Sequence, residues 1–338
     1  MTILAASIAE LPAQLGQIFY AIVLPILLLA GIGFALQRRL GLEMTTLRRL
    51  NFYFVMPAMV YYAVVTSELS ARIVLTVAAF AATCVAVMAL VTYVAARVRR
   101  VPANLRRTML MTTMLHNSGN YGLPLQDLAF RPTGQDAPAI TYQAFVMITQ
   151  NLITFTVGIL LAAGGRKDRH WRQNLLHIAK FPPIYALTAA LITVQIRVWL
   201  GDAAPGVAKD LAPLWEVVVR VKGAFIAIAL LTLGAQLATV NRRAHNYPVK
   251  LSVLLRLIAG PMVGLGVIYA MGLHGLLAQV MLIATSTPTA VNCMLLCLEF
   301  DNHPDYAARA VFYSTLLSPI TVTLTIFLAQ GNFLPGFG

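Results

Sequence analysis

The run His116-Asn117-Ser118-Gly119-Asn120-Tyr121-Gly122-Leu123-Pro124 interrupts an otherwise apolar segment near residues 108 to 130. Glycine and proline weaken or break a helix's hydrogen-bond ladder, and in a bilayer the freed backbone groups are tolerated only where protein or a water-filled cavity satisfies them. The segment therefore reads as a broken transmembrane helix that faces a polar interior. Its counterpart is Thr285-Ser286-Thr287-Pro288-Thr289, followed by Asn292, in the apolar segment near 277 to 298. One such segment alone reads as a Pro-kinked helix whose Ser and Thr bond back to their own carbonyls. Two at corresponding places in two halves point to a transporter site, where half-helix N-termini direct orphan N–H groups and positive partial charge at an anion.

The rest of the chain supplies the membrane that this reading requires. Of its 338 residues 59% are hydrophobic and 11% charged, far from the roughly one-quarter charged residues of a soluble protein. Apolar stretches of the ~20 residues that span a ~30 Å hydrocarbon core recur between polar clusters. They fall near 17–37, 50–66, 73–95, 108–130 and 142–163, then near 178–198, 215–239, 250–271, 277–298 and 308–329. A net charge of +13 raises nucleic acid as a partner, but the basic residues sit in short clusters between apolar segments, as retention on the cytoplasmic side produces, so none is expected.

Those clusters orient the chain. All but Arg72, Arg131, Arg197, Lys209, Arg220 and Lys222 of the 25 basic residues fall in loops on one side. The bias places both termini outside the cytoplasm in a multi-pass protein of the cell (inner) membrane. No Lys or Arg precedes the first span and no small-residue cleavage site comes after it, so that span is expected to be retained. Five spans precede the polar stretch from Gly164 to Lys180 and five come after it. Halves with an odd number of spans enter the membrane from opposite sides. The expected fold is an all-α polytopic membrane protein of ten transmembrane helices in two inverted five-helix repeats, 1–163 and 178–338, joined by a cytoplasmic linker at 164–177.

The candidate substrate-binding residues are His116, Asn117, Gly119, Asn120, Thr287, Pro288, Thr289 and Asn292, with Gly122, Pro124 and Pro288 breaking the helices. His116 either pairs with a carboxylate or couples transport to protons, or else is a neutral imidazole bonded inside the bundle. Arg220 and Lys222 either attract an anion or snorkel to the interface, with Glu216 as an ion-pair partner. Arg256 reads as an interfacial anchor with a role at the inner mouth left open, and Asp127 as a vestibule-lining or solvated loop acid. Cys84, Cys293 and Cys297 lie in apolar segments and read as small core residues. No HExxH, no GxSxG at a plausible site and no paired intramembrane carboxylates occur, so neither enzymatic chemistry nor a metal or other cofactor is expected.

At these residues the chain resembles the auxin efflux carrier family, which includes PIN-like plant carriers and a bacterial organic-acid branch of malonate and malate carriers. The resemblance covers nearly the whole chain: Leu24-Pro25-Ile26-Leu27 through Gly31 to Arg38-Arg39, Asn117 through Gly122-Leu123-Pro124-Leu125, Leu233-Gly234-Ala235-Gln236-Leu237, Arg256-Leu257 with Pro261, and Pro288 on to His303-Pro304-Asp305. It implies scaffold helices 1, 2, 6 and 7, transport helices 3–5 and 8–10, crossing of the broken helices 4 and 9, and a homodimer through the scaffold. It further implies that Asn117 contacts substrate and that Pro288 breaks the ninth helix. The chain departs from the plant pattern in having His116 where proline tends to stand, no charged side chain from Ile73 to Ala95, and Phe155 where an aromatic hydroxyl occurs. The bacterial branch is nearer. The expected function is elevator-type secondary transport, in the efflux direction, of a small organic anion such as a mono- or dicarboxylate or auxin-like acid, driven by a proton gradient or the membrane potential. A sodium-coupled symporter of the bile-acid type is the alternative, and a channel or intramembrane enzyme the remaining class.

Overall fold

The computed structural model describes residues 11–66, 70–163, 182–201, 211–240, 247–331 and 334–337. The expected linker 164–177 with Arg166, Lys167, Arg169 and Arg172, and also Lys180, Lys209, Arg242 and Arg243, lie outside the described residues. The described residues are almost entirely helical and contain no strand.

In chain order the helices are α1 (Leu11–Leu40); α2, built from Met44–Leu50, Asn51–Val55 and Met56–Thr66; α3 (Ala71–Val98); α4a (Ala103–Met114) and α4b (Leu123–Phe130). Then come α5 (Asp136–Ala162), α6 (Pro182–Leu200), α7 (Ala212–Ala238), α8 (Pro248–Met271), α9a (Gly275–Thr285), α9b (Val291–Glu299) and α10 (Pro304–Gln330). Six of these described helices, α1, α3, α5, α7, α8 and α10, are long and apolar enough to cross a membrane. Exposed Leu28, Ile32, Leu75, Leu90, Ile192 and Met262 leave outward faces that a bilayer covers and water would not.

Local sequence sets several boundaries. Glu43 starts α2 by accepting the N–H groups of Thr45 and Thr46, and bonds from Thr46 and then Thr45 hold its carboxyl below the usual range. Ser70 caps α3 through the N–H of Ile73. Gly41 and Gly272 end α1 and α8 in the left-handed conformation.

Two packing groups emerge. The Leu24–Leu40 part of α1 packs along the Phe225–Ala238 part of α7, while α2 packs on α6 and on the first half of α7. Separately, α3 packs on α4a, α5 and α8, and α9a packs on α5, α8 and α10. Contact between α1 and α7 is backbone to backbone: a Cβ on Gly33 would overlap the Leu231 carbonyl, and one on Gly234 the Ala30 carbonyl. Small residues at such a crossing give the close van der Waals fit that holds helices together where no hydrophobic force acts between them. The Leu233-Gly234-Ala235 motif thus has a packing reason.

Among the described residues five π-helical turns interrupt the helices, at Phe19–Val23, Asn51–Val55, Ser118–Gly122, Thr154–Gly158 and Leu255–Ala259. Each inserts a residue into the helical repeat and rotates the turns C-terminal to it. Four of them carry a buried polar or charged side chain: Asn51, Asn120, Thr154 and Arg256.

Candidate functional site

Helix α4a stops at Met114 because Leu115 turns to extended backbone, and α9a stops before Pro288, which has no N–H to continue it. The two extended stretches meet as an isolated antiparallel bridge between His116 and Thr289. Asn117 N–H donates to Pro288 O at 2.7 Å, and Ala290 N–H donates to Leu115 O at 3.1 Å. Backbone groups that the broken helices would otherwise strand in the hydrocarbon therefore satisfy one another.

The helix ends around this bridge are sorted by sign. Arg256, on the π-turn of α8, donates through Nη1 to Thr113 O at 3.0 Å and through Nη2 to Thr285 O. Those carbonyls belong to the C-terminal turns of α4a and α9a, where the helix dipole is negative, so one guanidinium neutralises both. Gly260 leaves the room, since a Cβ there would overlap the guanidinium. Arg256 is 1% exposed. The expectation of an interfacial anchor is thereby corrected: the residue is a buried crosspiece, and hydropathy, which records its distance from the segment's end, does not register the two carbonyls that hold it.

The N-terminal ends lie on the other side. Neither the Ser118–Gly122 turn that leads into α4b nor α9b has a side-chain cap. Gly119, Asn120, Val291 and Asn292 from these first turns line a narrow cleft together with His116, Asn117, Gln150, Asn151 and Thr154. Met56, Phe52 and Met147 form its apolar wall. Among the described residues no Asp, Glu, Lys or Arg lines it. The open space is about 30 Å³, room for a water or two rather than an organic acid.

Of the sequence-predicted residues, His116, Asn117, Gly119, Asn120 and Asn292 stand on the cleft wall. Asn117 Nδ2 is buried without a hydrogen-bond partner. Asn120 Oδ1 accepts from Asn51 Nδ2 at 2.9 Å, and Asn292 Nδ2 donates to Asn151 Oδ1 at 3.1 Å. A Cβ on Gly119 would press on Met147 Sδ at 3.2 Å and Met56 Cε at 3.3 Å.

Thr287, Pro288 and Thr289 are not on that wall; they hold the crossing from behind. Thr289 gives its hydroxyl to Thr112 O at 2.8 Å and its N–H to Ser314 Oγ at 3.1 Å. Thr287 Oγ1 lies 2.6 Å from His116 Nδ1 and 2.8 Å from Ala284 O. A hydroxyl has one proton; given to Ala284 O, it leaves Nδ1–H to donate to Thr287 and Nε2 as the imidazole's acceptor.

Gly122 and Pro124 work at the base of α4b. Pro124 occupies the first turn, where its missing N–H costs nothing. Gly122 leaves space for the Gln143 amide, which donates to Ser118 O at 2.8 Å. Gln126 Nε2 continues the chain to Gln143 Oε1 at 3.3 Å and Val280 O at 3.0 Å, tying α4b to α5 and α9a.

The wall also holds Asn51's partner Asn120 and three residues that no motif singled out, Gln150, Asn151 and Thr154. Gln143, Gln150, Asn151 and Thr154 share one face of α5, and that polar stripe within an apolar span was the available signal. Arg220 pairs with Glu216 at 2.7 Å and Lys222 Nζ lies 4.7 Å from the Tyr62 ring centre, so both are engaged at the surface. Asp127 is a buried residue of α4b paired with Arg131, not a loop acid. Cys84, Cys293 and Cys297 are free and buried. No cluster of potential metal ligands occurs among the described residues.

Comparison with known proteins places the chain in a wider group. The model of the family described as "Membrane transport protein" matches residues 18–326. An uncharacterized transporter of Methanothermobacter thermautotrophicus is 26% identical over 240 residues, covering 69% of this chain and 72% of that protein. Auxin efflux carrier component 1 of Arabidopsis thaliana is 26% identical over 191 residues, covering 56% of this chain and 28% of the plant protein.

Proposed function

Because the chain belongs to the auxin efflux carrier family of membrane transport proteins, and is a multi-pass transporter rather than an enzyme, we propose that it carries a small organic anion through the cleft at the α4–α9 crossing. The observation that carries this reading is the buried, unpartnered Asn117 Nδ2 beside two uncapped half-helix N-termini, in a cleft whose described lining holds no carboxylate. A carboxylate accepts from the amide and from first-turn N–H groups, and the positive helix ends favour its charge. Asn120 and Asn292 stand on the same wall. The mono- or dicarboxylates of the bacterial branch fit this neutral donor set better than a substrate that needs a full countercharge.

The proposed architecture is ten helices in two inverted five-helix repeats, 1–163 and 178–338. In it α1, α2, α6 and α7 form the scaffold, through which two copies pair, and α3–α5 with α8–α10 form the moving transport domain. The two packing groups and the backbone-tight α1–α7 crossing support that division. Hydrogen bonds that span it include Asn51 to Asn120 and Thr141 Oγ1 to Ala63 O at 2.8 Å. Both break and re-form as the transport domain slides, while Arg256 keeps the two crossing helices together. A proton gradient or the membrane potential drives the cycle, in the inner membrane with both termini extracytoplasmic.

The test is flux of a panel of organic acids in proteoliposomes, with and without proton and sodium gradients, for the wild type and Asn117→Ala. Loss of saturable countertransport in folded Asn117→Ala supports the assignment; unchanged transport removes Asn117 from the site. Strict sodium dependence moves the reading to a sodium symporter, and flux without countertransport moves it to a channel.

A further inference from the structure

Away from the crossing, the first halves of α8 and α10 run side by side and leave a groove of about 580 Å³ between them. Its floor and rims are Val253, Leu254, Leu257, Ile258, Leu317 and Ile320. Leu254, Ile258, Leu317 and Ile320 are exposed, so the groove opens outward from the bundle. Lys250 and Arg309 also line it, both near the end where the two helices begin, and among the described residues no Asp or Glu does.

We propose that this groove holds one acyl chain of an anionic phospholipid, whose net-negative headgroup is held by the exposed Lys250 at the groove's polar end. Three observations fit that occupant. The lining runs from residue 249 to 258 on α8 and from 309 to 321 on α10. At ~1.5 Å per residue this is roughly 14 to 18 Å, close to half of a ~30 Å hydrocarbon core and so to the depth of one leaflet. Exposed Lys250 stands at the polar end of that length, where long basic side chains reach headgroups, and buried Arg309 lines the same end. The long wall is apolar, as a hydrocarbon chain requires and a soluble anion does not.

The site is separate from the cleft and its function does not depend on what the cleft carries; it rests only on the chain being a membrane protein. Leu257 and Ile258 belong to the π-turn whose other face holds Arg256. The bound chain therefore packs against the back of the turn that supports the crossing.

The full-length chain, purified in mild detergent, is offered equimolar phosphatidylglycerol and phosphatidylcholine with identical acyl chains, and retained lipid is counted by native mass spectrometry. The wild type is expected to retain phosphatidylglycerol about fivefold over phosphatidylcholine, and the surface variant Lys250→Gln to bring the ratio near parity. Ile320→Trp, which fills the apolar part and leaves both cations, is expected to lower retention of both lipids. Equal retention by the wild type, a preference that survives Lys250→Gln, or retention that ignores Ile320→Trp overturns the proposal. So does efficient disulfide formation between two copies of Ile320→Cys in lipid bilayers, which would put a second copy over the groove.

Discussion

Asn51 Nδ2 donates to Asn120 Oδ1 across 2.9 Å, joining the π-turn of α2 to the turn that begins α4b. This bond links the two packing groups at the edge of the cleft, and it uses the Asn120 oxygen while leaving that residue's amide nitrogen toward other partners. It therefore acts as a latch between elements that the proposed cycle separates.

Removing the latch loosens the turn without touching its backbone. Asn51→Ala should cost about 1 kcal/mol at this contact, enough to raise amide exchange across 118–122 about fivefold while the rest of the chain stays protected. Hydrogen exchange read by mass spectrometry checks it. Unchanged exchange in that segment would mean the bond carries no load.

Arg256 should be among the most sensitive single positions. Arg256→Gln leaves two buried helix-end carbonyls without their charged donor and is expected to cost about 3 kcal/mol or more. Arg256→Lys keeps the charge but not the fork that reaches both carbonyls, so its loss should be intermediate. Thermal unfolding in detergent, followed by a thiol-reactive dye at the buried cysteines, ranks the three proteins; Lys indistinguishable from Arg would show that charge alone suffices.

The crossing of α1 and α7 has an internal control. Gly234→Ala places a methyl group on the Ala30 carbonyl, whereas Gly31→Ala, two residues from Gly33 on the same helix, meets nothing within 4 Å. The first should destabilise by about 1–3 kcal/mol, and the second should be neutral or slightly stabilising through better helix propensity. Parallel melting curves decide it, and equal effects would argue against the tight contact.

Gly122 and Gln143 occupy one space. Gly122→Ala displaces the Gln143 amide from Ser118 O, and Gln143→Ala removes it outright, so each single change loses the same hydrogen bond. The double variant should be less destabilised than the sum by about 1 kcal/mol. Additive losses in a double-mutant cycle would show that the two residues act separately.

Much of this arrangement was visible in the residues themselves. Gly119, Gly122 and Pro288 announced two interrupted helices, because no lipid-facing span carries such breakers, and Asn117 with Asn292 marked the polar wall. What stayed hidden was long-range pairing. Thr287 and Thr289 look like wall residues by composition, yet their hydroxyls are taken by His116, Ala284 and Thr112, partners distant in the chain or local to the turn. The π-turns at Asn51–Val55 and Leu255–Ala259 were equally silent, since one inserted residue leaves hydropathy unchanged, and so was the burial of Asn51 and Arg256 on them. Gly234 was recognisable as part of a motif, but its purpose needed Ala30 beside it.

The narrowness of the cleft has a kinetic corollary. Walls that leave about 30 Å³ admit no carboxylate at rest, so each arrival waits on a spontaneous parting of Met56, Met147 and their neighbours. Stopped-flow traces should then show an observed rate that levels off as ligand concentration rises, with the plateau set by the protein's own breathing instead of by encounter.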